Sequence, residues 1–363
     1  MPCAALRAIR GGLANEDLRS ARQLWSNDDF RRPASGTARR PGRSLTGLSG
    51  VRDIVGRYGT ALAGVLLIAF FVLAAPNFAS PTNLINVLKD TSFLAILAIG
   101  FTLALRVSEL DLSVAEVASL AAVVCGFLVQ NGYAPALAAG AALGVGLACG
   151  LFNGFGVTRL RIPSLIMTLG TAAIAKGLAF MITQGVAFVG RWPTGFTGLA
   201  RGTTAGVPNL VLWMLAAAGL AYWLVNWTRT GAHMVATGEA DEAARLAGIA
   251  TGRMKRLGLT LAGLMAGLMA VLLAANLSSA APNMAGDYLL YAIAAVLLGM
   301  TMFRPGHPTI EGTVFAALVL KVLGNGLVLL GAAYYVQDIV LGAIIIGSVA
   351  FSASAMQKAA FKV

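Results

Sequence analysis

Three ionisable side chains lie inside long apolar runs of this chain, where they could hold helices together or move an ion. Lys176 and Lys321 stand near the middle of such runs, and Asp338 stands near the start of another. An unpaired charge at the centre of a membrane helix costs roughly 2.5–3.5 kcal/mol, so each position needs a reason. Two interpretations follow from the residue types: a Lys–carboxylate pair between helices, or a relay for protons or ions.

Motifs for making or breaking covalent bonds are absent from the sequence. There is no GxxxxGK[ST] phosphate loop, no HExxH and no GxSxG pattern. His233 and His307 are the only histidines, and Cys3, Cys125 and Cys149 show no CxxC spacing. We therefore expect no catalytic residue, no metal site and no cofactor in this chain.

The elements that carry these residues are predicted to be membrane-spanning helices. The chain is 58% hydrophobic and 12% charged, with a mean hydropathy of +0.78. A helix needs about 20 mostly apolar residues to cross a bilayer. Ten runs approach or reach this length, which predicts an all-α polytopic membrane protein with about ten transmembrane helices. The second run contains Lys89 and the eighth is short, so either could be partly re-entrant. The runs are roughly 59–75, 84–106, 113–131, 134–157, 164–184, 208–227, 257–277, 288–303, 312–331 and 335–353.

The distribution of basic residues predicts the orientation. Residues 1–57 carry eleven Arg against five acids and have no sustained apolar period, which indicates a flexible cytoplasmic tail. With ten spans and this tail inside, 22 of the 27 Lys and Arg fall on the inner side. We therefore expect a transmembrane domain over 58–354, a cytoplasmic C-terminus over 355–363, and contact with lipid rather than nucleic acid.

Two inner segments contain local helix signals. Between the second and third runs, Asp111 or Ser113 could cap the next helix. The largest inner loop, 228–256, contains a predicted short helix from Asp241 to Gly248. Acids occupy its first turn, and Gly248 suits the position after the helix, where a positive φ is favoured.

Small residues predict close contacts between helices. Gly146, Gly150 and Gly154 are spaced by four on the fourth run, as are Gly140 and Gly144. Gly263 and Gly267 repeat the spacing on the seventh run. Such positions let helix backbones approach in lipid, either within the bundle or between two subunits.

Four collinear motifs resemble the permease subunits of bacterial ABC importers of the ribose/galactose/xylose class. The similarity runs from about residue 60 to residue 350 in the same order. The matching segments are LDLSV at 110–114, GLFNG at 150–154 with RIPSLIMTLG at 161–170, EAARLAGI at 242–249, and LSSAAP at 277–282 with AIAAVLLG at 292–299.

The resemblance implies a permease in the bacterial inner membrane that passes a monosaccharide-like solute. Its implied partners are a cytoplasmic subunit that binds ATP and Mg²⁺, a second permease subunit and a periplasmic solute-binding protein. The 299–313 loop keeps only some of the family's glycines, so the second permease could be a copy or a more typical paralogue. Competing hypotheses are an ion-coupled secondary transporter and a membrane scaffold. The implied site residues are Asp111, Ser113, Asn153 and Gly154 in the motif loop, and Asp241, Glu242, Ala243, Ala244, Arg245 and Gly248 in a segment coupled to the ATPase.

Overall fold

The computed structural model describes residues 47–304 and 306–360. Residues 1–46 of the predicted tail and residues 361–363 lie outside the described residues. The described part is almost entirely helical, as predicted. The helices are α1 (Gly47–Ala74), α2 (Pro81–Leu105), α3 (Val114–Gln130), α4 (Pro135–Thr158), α5 (Ser164–Thr183), α6 (Thr194–Arg201), α7 (Asn209–Trp227), α8 (Arg229–Glu239), α9 (Asp241–Leu246), α10 (Thr251–Leu277), α11 (Tyr288–Gly299), α12 (Ile310–Leu329) and α13 (Tyr334–Ala360).

Four two-residue strands supplement the helices in this part of the chain. Strand β1 (Phe188–Val189) pairs antiparallel with β4 (Ser279–Ala280), and β2 (Thr203–Thr204) pairs antiparallel with β3 (Val207–Pro208). The β1–β4 pair joins the segment after α5 to the end of α10. These strands and α6 were not predicted from the sequence.

Each of the ten predicted apolar runs coincides with a helix. Six of the described helices, α2, α4, α5, α7, α10 and α12, are long and apolar enough to cross a membrane. Shorter apolar segments lie in α1, α3, α11 and α13. The second run, one of the two that could be partly re-entrant, is one continuous helix with Pro81 in its first turn. The count of ten spans and the orientation stay predictions.

Helices α2 and α10 form the centre of the bundle. All residues of α2 from 91 to 104 are buried. In α4 and α5, by contrast, only 22% of the most apolar 18-residue stretch is buried. α10 packs against α2, α3 and α4. In lipid, apolar character does not decide which helix is central, because tails and side chains are equally apolar.

Helices α4 and α10 cross in close backbone contact. A Cβ on Gly146 would overlap the backbone oxygen of Gly263, and the reverse holds for Gly263 and Gly146. A Cβ on Gly150 would lie 2.6 Å from the Leu259 carbonyl oxygen. These glycines therefore serve packing within the bundle. Gly140 and Gly144, on the other side of α4, have no such neighbour among the described residues.

Candidate functional site

A buried hydrogen-bond network joins two of the four sequence motifs. Asp111 lies in the loop between α2 and α3 and is 1% exposed. Its Oδ1 accepts hydrogen bonds from the Ser113 backbone N–H at 3.0 Å and from the Ser113 hydroxyl at 2.5 Å. Asn153 of α4 donates from Nδ2 to the Ser113 hydroxyl at 2.9 Å and to Asp111 Oδ1 at 3.5 Å. The motif residues Asp111, Ser113 and Asn153 therefore meet in space.

Helix α5 completes this network. Thr171 donates from its hydroxyl to Asn153 Oδ1 at 2.5 Å. One turn earlier, the Thr168 hydroxyl accepts the Leu112 backbone N–H at 3.2 Å. The motif loop is thus bonded to both α4 and α5. Gly154, the fourth motif residue, makes a packing contact instead, because its Cβ position would lie 3.0 Å from Arg256 Cα.

The predicted helix cap at this loop is wrong in its chemistry. Ser113 occupies the N-cap position of α3, but its side chain makes no capping hydrogen bond. The Ser113 hydroxyl instead points to Asp111, and Asp111 Oδ2 has no hydrogen-bond partner among the described residues. Burial raises the pKa of the Asp111 carboxyl, while the bonds from Ser113 and Asn153 oppose that rise. Asp111 is therefore a buried acid and not a surface cap.

The segment predicted to couple to an ATPase forms two short helices. α8 begins after Thr228, whose hydroxyl accepts the Gly231 N–H at 3.0 Å, and α9 follows after Ala240. α8 was not predicted, although Thr228 supplies a standard capping signal. The two helices form one projecting unit beside the first turn of α10.

Helix α9 ends as its sequence predicts. Gly248 has a φ of +85°. Its N–H bonds to the Arg245 carbonyl, and the Ile249 N–H bonds to the Ala244 carbonyl, both at 3.0 Å. This pair of bonds is a Schellman motif, which glycine favours because a Cβ is strained at positive φ.

The surface of α9 is open. Ala244 is buried against the bundle, whereas the other five residues of the helix are exposed. Leu246 is 84% exposed, which makes it an apolar side chain on an otherwise charged and small-residue helix.

None of the three intramembrane charges forms an ion pair within 4.0 Å among the described residues, although Lys321 interacts electrostatically with Asp90 of α2 and Lys176 with Glu116 of α3. The ion pairs in this part of the chain involve Lys255 and His307 instead. Lys321 places its Nζ 5.0 Å from the ring centroids of both Tyr288 and Tyr291, which is a cation–π geometry. Lys176 and Asp338 are exposed on α5 and α13.

Sequence reasoning missed three polar residues of this region. Thr171 follows directly after the matched motif on α5, so its position was a usable signal. Lys255 and Glu109 form an ion pair at 3.0 Å, with Nζ of the lysine facing Oε1 of the glutamate. Nothing in the sequence connects these two residues, because they come from distant elements.

Comparison with known proteins identifies relatives over most of the chain. Residues 83–349 match the family model described as branched-chain amino acid transport system / permease component. The chain is 37% identical over 293 residues to the ribose import permease protein RbsC of Escherichia coli strain K12, covering 78% of this chain and 90% of that protein.

Two further relatives extend this similarity to other organisms. The chain is 31% identical over 294 residues to RbsC of Bacillus subtilis strain 168, covering 81% of this chain and 91% of that protein. It is 32% identical over 302 residues to the autoinducer 2 import system permease protein LsrC of Yersinia pestis strain Pestoides F, covering 81% of this chain and 84% of that protein.

Proposed function

Because the chain belongs to the family described as branched-chain amino acid transport system / permease component, we propose that it is the membrane-spanning subunit of an ATP-driven importer. In this proposal it forms the path through which a monosaccharide-like solute crosses the bacterial inner membrane. The ribose import permeases among its relatives support the solute class. No covalent bond changes in this chain, so its work is to alternate between packed states of the bundle.

The observation that carries the proposal is the exposed surface of α9 in the α8–α9 unit. Its residues Asp241, Glu242, Ala243, Arg245 and Leu246 are exposed. The positive-inside distribution predicts that this unit faces the cytoplasm. A short helix with an exposed leucine fits a groove on a cytoplasmic partner. We assign ATP and Mg²⁺ to that partner, because the sequence has no phosphate loop.

A second permease subunit is supported by the outer face of α5. Lys176 lies in the middle of this apolar helix and is exposed. Gly170 and Gly177, on the same helix, have no neighbour near their Cβ positions among the described residues. A lysine facing lipid at this depth is costly. We propose that water and a second permease, either a copy or a paralogue, cover this face and that the solute path lies there.

A solute-binding protein on the opposite side of the membrane completes the proposed importer. Selection of the solute then occurs chiefly outside this chain. The intramembrane residues Lys176, Lys321 and Asp338 are too few to suggest an ion relay. Ion-coupled transport is the competing function that the following experiment separates.

The exposed leucine of α9 provides the test. We expect Leu246→Asp to insert normally in the membrane but to lose co-purification of the ATPase subunit and ATP-dependent uptake, because a carboxylate resists transfer into an apolar groove. Leu160→Asp is the matched control, since Leu160 is also exposed, at 60%, on the same predicted side. Uptake that persists without any associated ATPase and collapses with a protonophore would contradict the proposal.

A further inference from the structure

One lysine bridges the projecting α8–α9 unit and the motif loop. Lys255 stands in the second turn of α10. Its Nζ lies 3.0 Å from Glu109 Oε1 and 3.6 Å from Asp241 Oδ2. Glu109 belongs to the loop that carries Asp111, and Asp241 is the first residue of α9. Three elements that are separate in sequence are therefore joined at one ammonium group.

These contacts connect the projecting unit to two other parts of the molecule, the Asp111 network and helix α10. From Glu109 the chain continues directly to Asp111 and its bonds with α4 and α5. From Lys255, α10 runs through the centre of the bundle. The same loop makes a second contact with the projecting unit, where the Ser108 hydroxyl donates to the Gly238 carbonyl at 2.6 Å. A displacement of α9 consequently acts on the loop and on the central helix together.

The two ion pairs of Lys255 are unequal. The side chain of Glu109 is 8% exposed, whereas that of Asp241 is 51% exposed. Leaving a buried carboxylate without its partner strongly destabilises the folded protein, whereas an exposed ion pair contributes little to its stability. Lys255 is thus expected to stay with Glu109 when α9 moves, and the contact with Asp241 is the one that breaks.

One side of the joint between α8 and α9 borders an open cavity. A cavity of about 440 Å³ lies beside it, lined by Arg106, Ser108, Gly238, Glu239 and His307 among others. His307 Nδ1 lies 3.5 Å from Glu239 Oε1 across this cavity, and both side chains are about half exposed. Packed side chains do not fill this side of the joint, whereas the opposite side of α8 is anchored by Met234, which is buried in the hydrophobic core.

We infer that Lys255 is a positioning residue that transmits movement of α9 to the Asp111 network, by remaining bound to Glu109 while it binds or releases Asp241. This inference rests on the proposed function, since the movement comes from the ATPase. In the resting state all three residues are joined. When the partner displaces α9, Asp241 leaves Lys255, and the loss of this restraint lets the Lys255–Glu109 pair move with the loop relative to α4 and α5.

The first experiment compares neutral and conservative variants in the complete transporter reconstituted in proteoliposomes with its ATPase and binding protein. The readout is the number of ribose molecules, or of the solute found to be imported, moved per ATP hydrolysed. We expect Lys255→Met to lower this ratio about tenfold while the ATPase stays bound. Lys255→Arg, which keeps the charge, should retain it. Arg253→Met is the matched control, because Arg253 is exposed two residues away without an ion pair among the described residues.

Exchanging the charges at positions 109 and 255 distinguishes a role of Lys255 in coupling from a role in stability alone. The double variant Glu109→Lys with Lys255→Glu restores the buried pair but sets a carboxylate at position 255 against the carboxylate of Asp241. We expect this double variant to fold and bind the ATPase yet to stay uncoupled. Adding Asp241→Lys should restore the ratio. A purely structural role for Lys255 would already be rescued by the double variant, and that result would overturn the inference.

The outcomes also distinguish this inference from the proposed function. Should the wild-type chain bind no ATPase, or transport without hydrolysis, the proposed function itself is wrong. Should the wild-type transporter be coupled while Lys255→Met keeps the wild-type ratio, only the role of Lys255 is wrong.

Discussion

At the scale of single residues, Asp111 is the most unusual side chain. It is fully buried, its Oδ1 is well bonded, and its Oδ2 has no hydrogen-bond partner among the described residues. A surface cap would tolerate many substitutions, but a buried acceptor cannot lose its bonds without orphaning the donors. Asn153 and Ser113 depend on the same oxygen. The residue therefore holds the motif loop against α4 and α5.

We expect Asp111→Asn to fold and to transport nearly as well as the wild type, because an amide oxygen can accept the Ser113 bonds in place of Oδ1. Asp111→Leu, of similar shape, should lose about 1–3 kcal/mol of stability for each orphaned donor. Thermal unfolding in detergent and uptake in cells would measure both. Equal stability of the two variants would contradict the assigned network.

A pH dependence follows from the same residue. Burial raises the pKa of Asp111 above its ordinary value. Burial therefore favours the neutral carboxylic acid of Asp111 in the folded state. The stability that this group contributes is present at low pH and is lost as the pH rises through the folded-state pKa. We expect Asp111→Asn to gain thermal stability relative to the wild type as the pH rises from the ordinary aspartate pKa through the raised pKa of Asp111. A constant difference between the two proteins would show that Asp111 does not titrate in this range.

Gly248 is the second informative residue. Its φ of +85° ends α9, and open space surrounds its Cβ position. Gly248→Val is expected to strain the turn by roughly 1 kcal/mol or more and to reduce uptake and ATPase binding, while Gly248→Asn should be tolerated. Gly206→Val is the control, since Gly206 has a φ of +79° and open space in a segment far along the chain from α9. Equal loss of uptake in both valine variants would refute a specific role for α9.

At the scale of elements, the crossing of α4 and α10 determines the packing of the bundle. Backbone meets backbone there, so no side chain can yield to an added group. Gly144 lies on the same helix as Gly146 but has open space at its Cβ position among the described residues. The two glycines therefore provide a direct comparison of an inner and an outer position.

We expect Gly146→Leu to lose at least about 1–3 kcal/mol, the usual cost of overpacking, and to reduce the yield of monodisperse protein. Gly144→Leu should leave the stability of the isolated subunit unchanged. Size-exclusion profiles and thermal unfolding in detergent would compare them. A stable Gly146→Leu variant would contradict the described crossing.

At the scale of the whole molecule, the distribution of charge predicts the orientation in the membrane. We expect a single cysteine at Ala247 in a cysteine-free chain to react only with membrane-permeant thiol reagents in intact cells, because the positive-inside rule places this loop in the cytoplasm. Cysteines at Thr203 or Asn283 should react with impermeant reagents. All three positions are exposed, whereas Thr251 in the same inner loop is buried and unsuitable. Impermeant labelling at Ala247 would overturn the ten-span orientation.

The sequence alone determined the helices in the ten apolar runs and the turn at Gly248, but not α6 or α8. Apolar length sets where helices form in lipid, and a glycine after a short helix is a local signal that needs no distant partner. The four motifs also identified the family before any contact was known. These features depend on neighbours along the chain, so pattern and composition are sufficient to predict them.

Only the tertiary structure decided which residues meet. Asp111 was predicted as a possible cap because the sequence does not reveal that Asn153 and Thr171 enclose it. A pair with an acid was one of two interpretations for Lys321, and its ammonium group lies over two tyrosine rings and interacts electrostatically with Asp90. The ion pairs of Lys255 with Glu109 and Asp241 join segments that are separate in sequence. Such contacts depend on how helices rotate and cross, and that is fixed by close packing at small residues such as Gly146 and Gly263, which no single segment encodes.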